Sequence, residues 1–368
     1  MAAIAELFDE TVLLVPCHRR TGEPGEISLG GPRLRVSPLP PPYGSGLGRK
    51  LLFPFWCFRC APVILREFRK ADAVHAPIPG DVGTVGMLLA WVFRKPLFVR
   101  HCGNWLRPIT RAEKLWRWFM ETFAGGRNVM LATGGAAEPP SRRNPNVRWI
   151  FSSSLTAAEM EELGSHQPKL DRERLRLITV GRQQAGKGTE KLVDALVMIR
   201  RQFPQVQLEV VGDGSDLARL KQQAAELGVS GQVVFHGKLD HAGVLQKMKQ
   251  AHIFCFPTQS EGFPKAVLEA MACGLPVIAT PVSVLPMLLS MGGGILIEPS
   301  SAAVARAVCE VTSSEETFKG MSARARNMAR TYTLDRWRDT IGGHLSAAWG
   351  PLKTEIRDQT SVVSSQCV

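Results

Sequence analysis

Short apolar runs alternate with stretches of helical period along most of this chain. Thr11-Val12-Leu13-Leu14-Val15 reads as a strand, preceded by a short helical piece around Ile4 to Phe8. Residues 16 to 48 are rich in Pro and Gly, with Pro40-Pro41-Pro42 in a row, and are expected to be loop or extended chain. Residues 49 to 66 are basic at one end and strongly apolar after it. Pro54 and Pro62 are expected to interrupt any continuous amphipathic helix there. A repeating pattern then begins. Ala73-Val74-His75 is a strand, residues 83 to 92 a helix, residues 96 to 100 a strand, residues 111 to 123 a helix and residues 129 to 132 a strand.

The alternation is cleaner after residue 174. Strands are predicted at 175–180, 207–211, 233–236, 253–256, 276–280 and 294–297. Helices fall between them at 190–201, 215–227, 241–250 and 264–272. Three more, at 302–311, 318–331 and 334–349, close the chain. Strand–helix alternation of this kind demands a parallel sheet covered on both faces. The fold class is therefore α/β, with two Rossmann-like domains. Residues 164 to 174 are polar and read as a linker, which divides the chain into 1–165 and 166–350. Residues 351 to 368 lack apolar periodicity and read as a disordered tail.

Composition narrows the class. The 368 residues are 45% hydrophobic and 21% charged, which excludes wholesale disorder and fibrous repeats. Eight scattered cysteines are too few for a disulfide scaffold, and the single C-x-x-C, Cys57 and Cys60, lacks the further ligands a structural zinc needs. The net charge of +12 is uneven. Residues 1 to 160 hold 21 Lys+Arg against 12 Asp+Glu, and the remainder 24 against 21. The basic half is expected to face something anionic: a membrane surface, a nucleic acid or a phosphorylated substrate. A solvated basic surface is the plainer account. No apolar run reaches the length of a membrane span, and Glu6, Asp9 and Glu10 break any signal-like core. The expected location is the cytoplasm, or the inner face of a membrane as a peripheral protein.

Three stretches carry chemistry. Residues 181 to 189, Gly-Arg-Gln-Gln-Ala-Gly-Lys-Gly-Thr, lie between a strand and a helix. They come within one residue of a phosphate-binding P-loop, but Gly188 stands where the magnesium hydroxyl belongs and Thr189 is one place late. Arg182 and Lys187 remain two cations at a strand's carboxyl end, suited to a diphosphate. Val211-Gly212-Asp213-Gly214 begins like a dinucleotide fingerprint, but Leu217 occupies the place of its third glycine. Gly212 and Gly214 are expected to let a ligand approach the backbone closely. The strongest signal is the run from Glu261 through Gly262, Phe263, Pro264 and Lys265 to Glu269. Its helix N-terminus can take a phosphate, with one carboxylate before the anion and one roughly 8 Å beyond it. That arrangement suits a sugar nucleotide, with hydroxyls on both sides of a diphosphate.

These residues resemble a known family. Residues 175 to 345 look like the donor-binding domain of the retaining glycosyltransferases of family 4 (glycosyl transferases group 1), which have the two-domain GT-B fold. The matching pieces are Val180-Gly181-Arg182 with Lys187-Gly188, Val211 to Gly214, Val234-Phe235-His236-Gly237, and the E-x7-E stretch running on to Cys273-Gly274-Leu275-Pro276-Val277. Residues 71 to 165 match more weakly. There Pro96 to His101 looks like the strand whose terminal histidine approaches the donor sugar.

The resemblance implies a role for each residue. Glu261 binds hydroxyls of the transferred sugar and Glu269 the ribose. Arg182 and Lys187 hold the diphosphate, the backbone at His236 and Gly237 borders the base, and His101 sits over the reacting sugar. Gly262, Phe263 and Lys265 stand at the anion-binding turn. The implied partners are a nucleotide-sugar donor and a hydroxyl acceptor on a lipid, polysaccharide or metabolite, with peripheral membrane contact through residues 49 to 70 and no nucleic acid. No Asp-x-Asp pair is present, so neither a metal nor a cofactor is expected. The family's glycine-rich first loop has no match, Gly22 and Gly25 included, and the strand at 11–15 looks like the family's second. The N-terminal domain is thus expected to lack its first strand, as if the chain began inside the first helix. Two alternatives stay open: a nucleotide-sugar-binding relative without catalysis, and a P-loop NTPase.

Overall fold

The computed structural model describes residues 2–17, 30–44, 46–106, 108, 110–136 and 138–352. Gly22, Gly25 and all but two residues of the proposed tail lie outside them. In chain order the first half holds α1 (Ala2–Ala5), β1 (Thr11–Pro16), β2 (Leu34–Leu39), α2 (Gly46–Lys70), β3 (Val74–Ile78), α3 (Asp81–Val92), β4 (Leu97–His101), α4 (Arg111–Phe123), β5 (Asn128–Thr133), β6 (Val147–Ile150) and α5 (Ala157–Gly164). The second half holds β7 (Arg176–Val180), α6 (Thr189–Ile199), β8 (Gln207–Val211), α7 (Leu217–Glu226), β9 (Val233–Gly237), α8 (His241–Gln250), β10 (Ile253–Phe256), α9 (Lys265–Ala272), β11 (Val277–Ala279), α10 (Leu285–Leu288) and β12 (Gly294–Leu296). Helices α11 (Ser301–Val311), α12 (Glu315–Ala329) and α13 (Leu334–Trp349) follow.

The second half forms one parallel six-stranded sheet in the order β12-β11-β10-β7-β8-β9. The chain moves outward from β7 to β9, returns, and moves outward the other way from β10 to β12. Burial on both faces explains why these strands are short apolar runs rather than alternating ones. Ile253, Phe254, Cys255 and Phe256 are all buried. On one face α6, α7 and α11 cover Leu177, Leu208 and Ile253. On the other, α9 and α12 cover Ile178, Phe254 and Val277.

The first half differs from its expectation. Its strands split into a parallel four-stranded sheet, β3-β4-β5-β6, and a separate parallel pair, β1-β2. Strand β2 lies in the Pro-rich stretch read as loop. It tolerates Pro38 because it pairs along only one edge. Helix α2 runs unbroken for 25 residues through Pro54 and Pro62, contrary to the interruption expected. Its buried face of Trp56, Cys60 and Ile64 packs on Leu39 and on the Val82, Val85 and Leu89 side of α3. That tertiary packing outweighs the backbone hydrogen bonds the prolines forgo.

Helix α13 also departs from the expected division at residue 165. It leaves the second half and lies on the first sheet, where Trp337, Ile341 and Leu345 meet Phe98, Leu131 and Ile150. Residues 337, 341 and 345 share one helical face by their spacing of four. The period predicts the helix but not which sheet receives it. Arg100 on β4 stacks over the Trp337 ring at 5.1 Å. Replacing Trp337 by Ala should cost about 3–5 kcal/mol, as other large aromatic truncations do. Chemical denaturation would show that loss in a transition reporting the first half. An unchanged midpoint would mean that α13 is not needed to close that half.

Candidate functional site

Strands β7 and β10 are neighbours in the sheet yet far apart in sequence, so their outgoing helices leave in different directions. A crevice opens at their carboxyl ends. Lys187 comes from the loop after β7 and Glu261 from the loop after β10. Their side chains meet, Nζ donating to Oε1. Each is only 18% exposed. Two residues that lie 74 positions apart are therefore one ion pair at the centre of the crevice. Arg182, also in the β7 loop, is exposed and has no ion pair among the described residues.

Glycines hold these loops together. A Cβ on Gly188 would lie 2.1 Å from the carbonyl oxygen of Pro257. One on Gly212 would lie 2.0 Å from that of Gly181, and one on Gly214 would lie 2.2 Å from that of Gln183. The space a side chain would take at Gly212 and Gly214 is filled by the neighbouring loop. Gln183 completes the clasp, a role sequence reasoning missed. It is buried, and its Nε2 donates to the carbonyls of Gly181 and Val211 at 2.7 and 3.3 Å. Its Oε1 accepts from Thr189 Oγ1 at 2.8 Å. The Thr189 hydroxyl is thus committed to the fold, which does not fit a P-loop's use of that group to hold magnesium.

Glu269 sits one helical turn into α9 and is nearly buried. Its Oε1 accepts from Ser154 Oγ at 2.5 Å and lies 3.2 Å from His241 Nε2. Ser154 and His241 were also missed. They come from the segment before α5 and from the start of α8, and no local pattern marks either. Pro264 caps α9 rather than opening it, and Lys265 is its first residue. Phe263 packs toward the Tyr332 ring at 6.2 Å. The Gly237 carbonyl accepts from Gly212 N at 2.7 Å. The His236 ring is turned away, paired with Glu209, with Lys247 4.0 Å from the same carboxylate. Only the backbone at His236 and Gly237 faces the neighbouring loop.

The first half closes the crevice from the opposite side. A Cβ on Gly262 would lie 3.2 Å from the carbonyl oxygen of Gly103, and Asn104 Nδ2 donates to Ser260 Oγ at 3.2 Å. His101 ends β4 just before this junction. It is 1% exposed, its Nδ1 has no partner, and its ring meets Trp105 edge-on at 5.3 Å. Burial pushes the imidazole down to about 4, against the opposing pull of Glu113. It is neutral near pH 7 and offers a polar N–H or lone pair rather than a charge. Among the described residues no three His, Cys, Asp or Glu side chains converge as metal ligands.

Residues 162–328 match the model of the family Glycosyl transferases group 1. The likeness to that family is confined to this part of the chain. The group 1 domain spans β7 to α12 and so includes Lys187, Glu261 and Glu269. The D-inositol 3-phosphate glycosyltransferase of an Arthrobacter species is 28% identical over 245 residues, 56% of this chain and 58% of that protein. The phosphatidyl-myo-inositol mannosyltransferase of Mycobacterium tuberculosis is 40% identical over 95 residues, 26% of this chain and 24% of that protein. The gpi3 subunit of the phosphatidylinositol N-acetylglucosaminyltransferase of Schizosaccharomyces pombe is 28% identical over 146 residues, 40% and 31% of the two. The chain thus spans less than two thirds of the length of these curated relatives. Among solved structures, sucrose-phosphate synthase from Thermosynechococcus elongatus superposes with TM-score 0.70 at 19% identity, over 93% of this chain and 90% of that one. Anabaena Alr3699/HepE in complex with UDP and glucose gives 0.66 at 20%, over 86% and 87%. The fold is therefore the GT-B arrangement, two parallel α/β halves facing a cleft.

His101 and His75 give the chain an acid-sensitive first half. His75, buried on β3 and stacked on Phe98 at 4.4 Å, is pushed down to about 3 by burial and by Arg100. Both folded values lie below the ordinary histidine value, so the unfolded chain binds more protons at mildly acid pH. Stability is full above about pH 6.5 and falls as pH drops toward the folded values, by about 2 kcal/mol per histidine at pH 5. Melting at pH 7.5 and 5.0 should show this loss, and His75→Phe should roughly halve it. An equal loss in the variant would remove His75 as its source.

Proposed function

We propose that this protein transfers a sugar from a nucleoside-diphosphate sugar to a hydroxyl acceptor, with retention of configuration and without a metal ion. The Lys187–Glu261 pair at the switch point, opposite the end of β4 that carries His101, is the observation that supports this reading. A bound diphosphate offers Lys187 a more highly charged partner than Glu261. Lys187 would turn to it together with Arg182, and Glu261 would be released to accept from sugar hydroxyls. Glu269, already fixed by Ser154, would accept from the ribose. As the glycosidic bond to the diphosphate breaks, the two cations stabilise the charge left on it. The departing phosphate oxygen takes the proton of the acceptor hydroxyl as the new glycosidic bond forms on the same face.

Lys187→Ala should lower kcat by about 10²-fold, corresponding to about 3 kcal/mol of charge stabilisation. UDP-glucose heads the donor panel, because Alr3699/HepE carries UDP and glucose in the cleft-bearing fold shared here. Full kcat in the variant would remove Lys187 from the reaction. One structural feature favours a second reading, binding of the donor without transfer: β1 and β2 stand apart from the β3–β6 sheet. A donor that raises the melting temperature but is never turned over would decide for it.

The same relatives that act on inositol lipids suggest a lipid-borne acceptor, and the first half has a surface to match. Twelve of the fourteen large apolar side chains that are exposed among the described residues lie in it. On α2, Leu51, Phe55 and Phe58 form a stripe at helical spacing, with Leu51 and Phe58 about four-fifths exposed. Arg59, Arg69 and Lys70 stand on the same helix without ion pairs among the described residues, while Arg49 and Arg66 are paired to Asp81 and Glu67. Among the described residues no helix is long and apolar enough to cross a membrane. We propose peripheral attachment. Each free cation adds about 1 kcal/mol at an anionic surface, and inserted aromatics add to it. Pelleting with anionic vesicles should fall as salt rises, and Phe55→Ser with Phe58→Ser should abolish it. Equal pelleting with neutral vesicles would rule the electrostatic part out.

A further inference from the structure

A second cavity, of about 750 Å³, lies in the first half, outside the donor crevice. It is bounded by the loop after β4, by α4, and by the segment joining β5 to β6. None of the residues assigned above to the donor lines it. Among the described residues its charged lining is Lys114, Arg117, Arg142 and Arg143 against Glu121 and Glu138, four cations to two carboxylates. Arg117 and Arg143 share Glu121, at 3.1 and 4.0 Å, and Arg142 takes Glu138 at 2.7 Å. Lys114 has no ion pair among the described residues. The cavity therefore carries positive charge that its own acids do not balance.

Its walls are fixed before any ligand arrives. The Trp105 indole donates to the Pro140 carbonyl at 2.7 Å, and the Trp149 indole donates to that of Glu138 at 2.7 Å. Arg117 donates to the Trp105 carbonyl at 3.1 Å while lying over the Trp105 ring. One edge is apolar and open. Trp118 and Leu106 are each about half exposed. Trp118 continues through Phe123 to Trp91, and past it to the exposed Val92 and Phe93 at the end of α3. A cationic cavity thus opens directly onto exposed apolar surface, and its volume is ample for a phospholipid headgroup.

We propose that this cavity receives the phosphate headgroup of an anionic membrane lipid, whose acyl chains lie along Trp118 and the exposed end of α3. The proposal rests on the membrane reading above and adds a defined lipid site to it. Lys114 and Arg143 would hold the phosphate by charge-assisted hydrogen bonds, and the Trp118 and Trp149 rings would flank the glycerol. Trp105 does not itself line the cavity; it stands behind the lining residues Pro140 and Arg117, to which it is hydrogen-bonded, and meets the His101 ring edge-on.

Dihexanoyl phosphatidic acid, used below its micellar concentration with the full chain, tests the site without any membrane. Tryptophan fluorescence should change along a one-site saturation curve, with dihexanoyl phosphatidylcholine and inorganic phosphate each binding about tenfold more weakly. Lys114→Gln with Arg143→Gln, both at exposed positions that leave the Trp105 hydrogen bonds intact, should weaken the phosphatidic acid about tenfold. Phe55→Ser with Phe58→Ser should leave this curve unchanged even where it abolishes vesicle pelleting, which separates failure of the membrane reading from failure of the site. Absence of saturation, or affinity unaltered in the Lys114/Arg143 variant, would overturn the site. Inorganic phosphate binding as tightly as the lipid would overturn the lipid as its occupant.

Discussion

The switch between β9 and β10 in the side on which strands are added to the parallel sheet is the constraint on which the site depends. It makes β7 and β10 neighbours while sending their loops apart, so a crevice exists before any side chain is chosen. What the side chains and glycines add is narrowness. Gly188, Gly212 and Gly214 each bring a backbone carbonyl to a place where a Cβ would sit about 2 Å from it. No larger residue fits there without spreading the loops. With the loops held tight by Gln183, a lysine after one strand reaches a glutamate after the other.

That reach gives the crevice two different ends. Glu269 is held by a serine hydroxyl and approached by a histidine, hydrogen-bonding groups that can keep a carboxylate in one rotamer while a ligand binds. Glu261 is held by a single flexible cation. A partly buried ion pair repays its desolvation only while both charges stay together, and a stronger anion can take one partner away. Under the proposed donor binding, the nucleoside end would keep a fixed geometry and the sugar end would exchange partners. The neutral state of His101 fits the second end, since a charged imidazole would compete for whichever anion occupied it.

Much of this was legible in the sequence, and the reasons for the remainder are physical. The E-x7-E run and Lys187 are readable because a parallel sheet puts all its strand-to-helix loops at one edge. Apolar runs at 175–180 and 253–256 identify the strands to which those loops belong. What could not be read is which loop fills which space. Gly212 and Gly214 are readable as places of close approach, but not that the carbonyls of Gly181 and Gln183 make that approach. Ser154, His241 and Gln183 act only through tertiary contact and leave no local pattern. The His236 ring points to Glu209 because alternate side chains on a strand face opposite ways, and nothing nearby tells which face lies toward the crevice. Strand β2 and helix α2 were obscured by proline, whose local cost was weighed without the packing of Trp56 and Leu39 that offsets it.

The two halves also divide the physics of the reaction between them. The half proposed to hold the diphosphate has almost balanced charge and, among the described residues, exposes only Met291 and Leu296 of the large apolar side chains. Its ligand would arrive from water, so its surface gains nothing from adhesion. The other half concentrates the excess positive charge and carries exposed aromatics on α2, α3 and α4, helices joined beneath the surface by the Phe68–Phe93 and Trp91–Phe119 contacts. Such exposed apolar surface would be an aggregation liability on a protein that never left solution, because it invites association. Interspersed arginines and lysines limit that risk by mutual repulsion, and the same charges favour an anionic surface over a second copy of the chain. An electrostatic guard against self-association and an electrostatic attraction to a membrane are then one feature of the sequence, and both weaken together as salt shortens the reach of charge to about 8 Å or less.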